Sequence, residues 1–370
     1  MAKPKKIIVD GYNFYFWPYE EQTRMKHKVL VEYFDIWATK LGKYHSISFF
    51  DCHGGCGAYW IDGSPFWGSS LLIAEKGEIL YKRLNRDIRT LKIYVTESDQ
   101  DNCENLAKVM NFRDDLMCKS RISKITFEDM IKNEECRRIY SQTPSLFFID
   151  PFGYCLDYSV LVQIMRYPKN ELLINFMFDY INRFISLPDQ AANFNALFGC
   201  EDWKEAILLS GFEREKKLVE VFKKQLKRIA KHVFAYKLSF YDKERTYYYI
   251  FHATDNLDGC AIMKSCFASL NNGKVEYLGN RNDTVTLFDL YDFKTQEVKD
   301  YLLSRFEGTK ISFTEIVEAI IDDTFFLEKD IRSALKCLLS EGHIQKILVS
   351  SKTDRGLSGD DIINFSEVKK

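Results

Sequence analysis

Residues 26–41, KHKVLVEYFDIWATKL, place Val29, Leu30, Tyr33, Phe34, Trp37 and Leu41 at helical spacing, and the stripe stops at Gly42. That pattern predicts an amphipathic helix closed by a glycine. A run of β-branched and aromatic residues, SISFF (46–50), follows it, meets Asp51 and then breaks into Gly54, Gly55 and Gly57. Downstream, LKIYVTES (91–98), KITF (124–127), SLFFID (145–150) and ELLINF (171–176) read as short buried strands, separated by helical patterns such as 101–111 and 158–165. Apolar strands alternating with amphipathic helices predict a parallel sheet covered by helices on both faces. The rhythm changes at HVFAYKLSFYD (232–242) and RTYYYIFHAT (245–254), two strand-like runs joined by Asp242-Lys243-Glu244, which predict an antiparallel hairpin. From 295 onward, helical patterns at 298–306, 313–321 and 328–340 lead through Gly342 into HIQKILVSS, the order of a winged helix-turn-helix.

Composition agrees with a large globular chain. Its 370 residues, 46% hydrophobic and 15% aromatic, suffice for a large α/β domain with an appendage and an aromatic-rich core. No apolar stretch reaches the length of about 20 residues that a membrane span needs, and MAKPKK lacks the apolar run of a secretory signal, so a cytoplasmic location is expected. The ten cysteines are scattered without a C-x-x-C pair, which argues for reduced thiols and against a protein-borne metal site. A net charge of −1 excludes a globally basic surface, so any nucleic-acid contact is local. The strongest local candidate is 213–232, EREKKLVEVFKKQLKRIAKH, where eight Lys/Arg face three Glu. It reads either as an amphipathic helix with a solvated basic face or as a phosphate-contacting helix. In the winged helix, Lys329, Arg332 and Lys336 sit at spacings that share a face, diluted by Glu328, Asp330 and Glu341. DNA recognition and protein contact both remain open there.

Three acidic positions close successive strands. Asp51 ends the first beside the glycine loop, Glu97 ends the second, and Asp129 or Glu128 follows the third. In an open α/β sheet such strand ends line one ligand crevice. Singly, each reads as a solvated turn or a helix cap; three in register favour a nucleoside cofactor. Parallel strands, a basic amphipathic helix and a terminal hairpin resemble the class I S-adenosylmethionine-dependent methyltransferases. That resemblance implies that Gly54, Gly55 and Gly57 let the backbone approach the methionine portion of the cofactor. It further implies that Glu97 accepts from the ribose hydroxyls and that Asp129 receives the adenine amino group. The fourth strand ends Ile149-Asp150-Pro151-Phe152-Gly153, where amino-group methyltransferases carry Asp/Asn/Ser-Pro-Pro-Tyr/Phe. Asp150 and Pro151 match, while Phe152 replaces the second proline and Gly153 the aromatic residue. The implied roles are hydrogen-bond acceptance from the target nitrogen by Asp150 and the Pro151 carbonyl, and base stacking by Phe152 or Tyr154. The plain alternative is an Asp-Pro helix start. His53 reads as a polar loop residue, and the roles of Cys52 and Cys56 stay undecided.

Taken in order, Lys26-His27-Lys28, FFDCHGGCGAY (49–59), GSSLLIAE (68–75), FFIDPFG (147–153), ELLINF with Asn182-Arg183, Trp203 and YYYIFHATDNLDGCAIMKSCF (247–267) resemble the three-Cys-motif partner (TcmP) family over nearly the whole chain. The resemblance implies a class I methyltransferase-like domain, S-adenosylmethionine as cofactor, and a partner bearing a three-cysteine, radical S-adenosylmethionine-like iron–sulfur motif that this chain itself lacks. The loop departs from the usual D-x-F-A-G-x-G through Cys52, His53 and Gly54.

The expected layout is an N-terminal extension (1–25), a methyltransferase-like domain (26–290), a winged helix (291–352) and a flexible tail (353–370). The leading function is methyl transfer to nucleic acid or a nucleotide-derived group. The alternative is a catalytically inactive module that recruits the three-cysteine partner to DNA; DNA or RNA contact is expected through the winged helix and the basic helix 213–232. A third reading takes IIVDGYN (7–13) as the first strand of a NYN/PIN-like nuclease, with Asp10 joined by Asp51, Asp129 and Asp150 at a magnesium ion.

Overall fold

The computed structural model describes residues 4–118, 120–240, 245–270, 287–348 and 356–366. The chain divides into two compact units, Met1–Gly279 and Asn280–Lys370. The first opens on the hairpin β1 (Lys5–Val9) and β2 (Tyr12–Pro18), followed by α1 (Glu21–Gly42) and β3 (Ile47–Asp51). A second hairpin, β4 (Ala58–Ile61) and β5 (Ser64–Trp67), precedes α2 (Ser69–Arg83). Next come β6 (Leu91–Thr96), α3 (Gln100–Phe112), β7 (Ser120–Ser123), α4 (Phe127–Lys132), α5 (Glu134–Gln142), β8 (Ser145–Ile149), α6 (Tyr158–Met165) and β9 (Asn170–Phe176). The unit closes with α7 (Phe178–Phe184), α8 (Ala191–Phe198), α9 (Gly211–Leu226), β10 (His232–Phe240), β11 (Arg245–Thr254) and α10 (Leu257–Leu270).

Seven strands form the main sheet in the order β10-β11-β9-β8-β3-β6-β7. The strands β9, β8, β3, β6 and β7 are parallel, and β11 runs antiparallel between β9 and β10. This is the class I methyltransferase sheet expected from the sequence, including its antiparallel hairpin. Every residue of β3, β8 and β9 is buried, as helices on both faces require of a central parallel strand. Offset ring stacking fills one side: Phe50 lies 4.5 Å from Phe147 and 4.9 Å from Tyr94, centroid to centroid. On α1, Tyr33 donates to Glu171 of β9, which His252 of β11 meets through Nε2 at 3.1 Å, so a buried polar cluster links these three elements.

Several sequence expectations change. KITF is not a strand: the third strand is β7, and Thr126 instead caps α4, its Oγ1 accepting from the Asp129 N–H at 3.1 Å. The stretch IIVDGYN is a hairpin, with Asp10 (φ 48°) and Gly11 (φ 84°) as its two turn residues. Left-handed backbone at both positions makes Asp-Gly a tight-turn dipeptide, so Asp10 is the tip of a β-turn and not a strand-end metal ligand. Among the described residues no group of three His, Cys, Asp or Glu is placed to hold a metal ion. Much of the presumed N-terminal extension is structured: β1 and β2 join β4 and β5 in a four-stranded sheet.

The second unit contains α11 (Leu287–Phe306), β12 (Lys310–Ser312), α12 (Phe313–Ile320), α13 (Glu328–Ser340), β13 (Gln345–Leu348) and β14 (Ile362–Asn364). Its apolar stripes, Val298 and Leu302, Ile316 and Ile320, Ile331 and Leu335, are buried, and a capping box between Ser312 and Glu315 starts α12. The segment expected to fray supplies β14, which lies between β12 and β13 with Ile363 fully buried. Burial of Ile363 and Phe365, and the ion pair of buried Asp361 with Lys346 at 2.9 Å, tie it down. No helix among the described residues is long and apolar enough to cross a membrane.

Candidate active site

Parallel pairing of β3 with β8 sets Asp51 opposite Phe148, so the carboxylates of Asp51 and Asp150 emerge at the same edge of the sheet. Asp51 is fully buried; its Oδ2 accepts from the Ser69 Oγ at 2.5 Å and the Ser70 Oγ at 2.7 Å. These serines open α2, so Asp51 anchors that helix to the strand end. Its Oδ1 has no hydrogen-bond partner in good geometry, the nearby His53 backbone N–H notwithstanding. Burial raises the acid to about 6 despite the two serines.

Asp150 is held differently. Its Oδ2 meets the Lys26 Nζ of α1 at 2.5 Å, and its Oδ1 accepts from the Asn175 Nδ2 of β9 at 2.5 Å. Burial pushes its pKa up, but the Lys26 charge, the Lys26 and Asn175 hydrogen bonds and His53 together hold it below the ordinary carboxylate value. The Lys26 ammonium also lies 5.2 Å from the Tyr248 ring. Neither Lys26 nor Asn175 stood out by itself in the sequence. The signal was their place inside the KHK and ELLINF motifs, as it was for Ser69 and Ser70 inside GSSLLIAE. Above the strand ends, Tyr59 feels both carboxylates. It stacks on Tyr19 at 4.9 Å, whose hydroxyl meets the His27 Nδ1 at 2.8 Å.

The glycine loop is pinned on all sides. Cys52 N–H donates to the Phe148 carbonyl (2.9 Å), Gly54 N–H to the Thr96 carbonyl (2.8 Å), and the Thr96 hydroxyl to the Cys52 carbonyl (2.8 Å). A Cβ at Gly54 would fall 2.5 Å from the Val95 Cγ1 and 2.8 Å from Leu106. Gly54→Ala is therefore expected to cost about 2 kcal/mol in urea unfolding, the usual scale of core overpacking. Gly55 is the opposite case: its φ is +59° and nothing lies within 4 Å of a Cβ built there. Just past β6, the half-buried Glu97 accepts from the Asp99 N–H at 2.8 Å. Burial raises its pKa, against the Asp99, Gly55 and Ser98 backbone donors.

The remaining expected residues divide. Asp129 is exposed in the first turn of α4, whereas Glu128 is close enough to raise the pKa of the buried Cys52 thiol, after burial itself and Asp51. Pro151 is buried, and Phe152 is 66% exposed. Tyr154, half-buried, packs against the edge of the core 4.7 Å from Phe194, with its hydroxyl on Gln190 at 2.7 Å, which leaves Phe152 as the exposed ring. His53 is half-buried against Phe127 with its Nδ1 unpartnered, and burial lowers it to about 4. Cys56 is buried and its Sγ contacts the Ala58 carbonyl, an inert position for a thiol.

Both candidate nucleic-acid surfaces are partly neutralised. The basic helix ends at Leu226; its Lys217 and Lys224 reach Glu205 and Asp202, and Arg214 donates to the Ala206 and Leu209 carbonyls. On α13, Arg332 is tied to Glu328 and the Leu357 carbonyl and covers the Phe313 ring at 4.2 Å, so it leaves the face expected to join it with exposed Lys329 and Lys336.

A cofactor cradle fits the residues present. Gly55 has open space beside it, and the half-buried Glu97 carboxylate, with backbone donors from Asp99, Gly55 and Ser98 on its two oxygens, has about four acceptor sites and so retains room for a further donor.

Residues 264–350 match the family of GMT-like wHTH domains. No curated protein matches the chain. Among solved structures, a Legionella pneumophila protein of the DUF519 family is similar over 68% of this chain and 91% of its own, at 10% identity and a TM-score of 0.43. Human methyltransferase-like protein 13, solved with SAH, is similar over 73% of this chain and 99% of its own, at 11% identity and a TM-score of 0.31. The strand order, not these distant likenesses, carries the fold.

Proposed function

We propose that this chain is an S-adenosylmethionine-dependent methyltransferase acting on an amino nitrogen of a nucleic-acid or nucleotide-derived acceptor. The observation that carries the reading is Asp150-Pro151 with the exposed Phe152 at the end of β8, next to a pinned loop whose Gly55 is open. Gly54, Gly55 and Gly57 are the cradle for the methionine portion, Glu97 the ribose acceptor, Asp129 or Glu128 the adenine partner, and Asp51 the anchor of the loop's surroundings. When bound, the cofactor supplies a methyl group already activated by its sulfonium, so the protein's task is positioning. Lys26 keeps the Asp150 carboxylate ionised until the acceptor nitrogen displaces it, and Asp150 then orients that nitrogen.

Calorimetric titration with S-adenosylmethionine tests the reading. Saturable heat is expected, with affinity weakened at least about ten-fold in Glu97→Ala, the scale of a hydrogen bond to a charged group. A flat titration of the wild-type chain rejects it.

One observation favours a second reading: both Asp150 oxygens are engaged, by Lys26 and Asn175. A binding module that recruits a three-cysteine-motif partner to DNA or RNA through its winged helix needs no free acceptor carboxylate. That reading expects co-purification with the partner and no transfer of label from methyl-labelled cofactor.

A further inference from the structure

The small sheet of β1, β2, β4 and β5 has two unlike faces. On one, Phe14, Phe16, Trp60 and Trp67 pack together and onto α3, whose Phe112 ring lies 5.5 Å from Phe14 and 5.7 Å from Trp67. Strand register puts Lys6, Tyr15, Trp17, Tyr59 and Phe66 on the other: Lys6 pairs with Tyr15, Trp17 with Tyr59, and Tyr59 with Phe66. Tyr15 and Trp17 are half-buried, and Phe66 is 41% exposed. The Lys6 ammonium lies 4.9 Å from the Tyr15 ring, and no acidic residue occupies this face of the four strands. Asn105 of α3 fixes the face in place. Its Oδ1 accepts from the Tyr15 N–H at 2.7 Å, and its Nδ2 donates to the carbonyls of Tyr15 at 3.0 Å and Cys56 at 2.7 Å, which ties β2 to the glycine loop. At the end nearest the two carboxylates, Tyr59 and Phe66 meet the Tyr19 ring at 4.9 Å and 5.3 Å. Burial raises the Tyr19 hydroxyl to about 12, opposed by the Arg24 charge beside it. Among the described residues the Arg24 guanidinium makes no ion pair or hydrogen bond, and its Nε is buried without a partner.

We propose that this outer face, with Arg24 at its end, is the docking surface for an unpaired RNA segment flanking the acceptor nucleotide, a proposal that rests on the methyltransferase reading for its purpose. Contiguous rings on the open face of a sheet mark a contact surface, and Tyr and Trp suit one because each joins a flat apolar body to a polar tip. A face with a cation and no carboxylate, ending at an unpaired guanidinium, favours a polyanion, whose phosphates arginine grips through paired donors. Base–aromatic stacking supplies the remaining affinity and tolerates any sequence. Tyr15 and Trp17, two residues apart on β2, are separated by about 6.7 Å. A strand seated on both is stretched beyond the roughly 3.4 Å per nucleotide of a duplex, which an unpaired segment can follow. RNA presents such segments in loops and bulges without strand separation. Tyr59 joins the face to the crevice, so the segment it holds leads toward Asp150.

The test measures binding of the full chain to a single-stranded RNA of about ten nucleotides with one central 2-aminopurine. Binding is expected to change the 2-aminopurine fluorescence through stacking. Tyr15→Thr and Trp17→Thr, which keep a residue suited to a strand, are each expected to weaken affinity about ten-fold, the scale of one base–aromatic stack, while Tyr15→Phe keeps it. Arg24→Gln is expected to weaken binding several-fold and to lower the log–log salt slope by about 0.7, the share of one phosphate on a single strand. It removes no ring, so it carries the test should a threonine variant unfold. Ile79→Thr, at a 65% exposed position of α2, removes an exposed apolar residue elsewhere and leaves binding unchanged. Unchanged affinity in both threonine variants or in Arg24→Gln, equal loss in Ile79→Thr, or equal affinity for the strand annealed to its complement overturns the docking surface. Tighter binding of a proline-rich peptide, another ligand of aromatic grooves, overturns it too. The calorimetric titration separates the two claims. Saturable cofactor heat with RNA binding unaltered in the threonine variants refutes only the docking surface, and ring-dependent RNA binding with a flat titration refutes only the methyltransferase reading.

Discussion

Lys26→Met is expected to lower the unfolding free energy of the chain by about 3 kcal/mol, the scale of removing one partner from a buried ion pair. Methionine keeps the length and apolar stem of the side chain, so the change isolates the charge. The lysine side chain is 8% exposed and that of Asp150 19%, which leaves little water to take over the ammonium's role. Without it, only Asn175 and the weaker influence of His53 oppose the desolvation of the carboxylate, and Asp150 is expected to swing from below to above its ordinary pKa. The sign of the pH dependence follows. In the wild type the pair contributes stability above the unfolded carboxylate pKa and loses it as pH falls through the depressed folded value. In Lys26→Met the acid is favoured protonated, so the deficit grows as pH rises. Adding Asp150→Asn to Lys26→Met is expected to recover most of the loss, because a neutral amide needs no counter-charge. Urea unfolding of the four chains closes the cycle. A single-variant loss below about 1 kcal/mol, the level of a surface pair, would mean that the crevice is wet and the pair weak.

That pair also marks how far the sequence could be read. Apolar periodicity located β3, β8 and β9, because a fully buried strand has to be continuously apolar, and it located α6 to the residue. It failed at KITF, where Thr126 and the acidic residues after it make a better helix start than a strand end, and where β7, an edge strand, carries the polar sequence SRIS. The glycine loop was legible as a turn, but its reason was not. Gly54 is demanded by Val95 and Leu106 from other elements, and Gly55 by its own backbone. The strand-ending acids were legible as positions and not as roles. Asp51 and Asp150 look alike in sequence, yet one is bound by two hydroxyls and the other by an ammonium and an amide. Contacts spanning 124 residues, as from Lys26 to Asp150, leave no local pattern. Even Tyr154, two places beyond Phe152, could be placed against the core only once Phe194 and Gln190 were located.

The contrast between the two carboxylates yields the second large effect. Asp51 titrates near 6 in the folded chain and near 4 when unfolded. Between those values the folded state holds a proton that the unfolded state has released, so stability falls as pH rises through the window. The fall is about 1.4 kcal/mol per pH unit, or about 3 kcal/mol across it. Asp51→Asn has no such proton, and its amide oxygen can accept from both Ser69 and Ser70 as the carboxylate does. The stability difference, wild type minus Asp51→Asn, is therefore expected to drop by about 3 kcal/mol from about pH 4 to about pH 7, with every other titrating group cancelling. Parallel stability curves for the two chains would show that water reaches Asp51 and that its environment is polar. A drop of the expected size has a consequence for the neighbouring site. Above about pH 6 two carboxylates are ionised at adjacent strand ends, and each raises the energy of the other. On the proposed methyltransferase reading an incoming acceptor amine displaces Lys26 from one of them, and that displacement costs least when Asp51 is protonated. Acceptor binding should accordingly weaken as pH rises through 6 in the wild type and lose that dependence in Asp51→Asn.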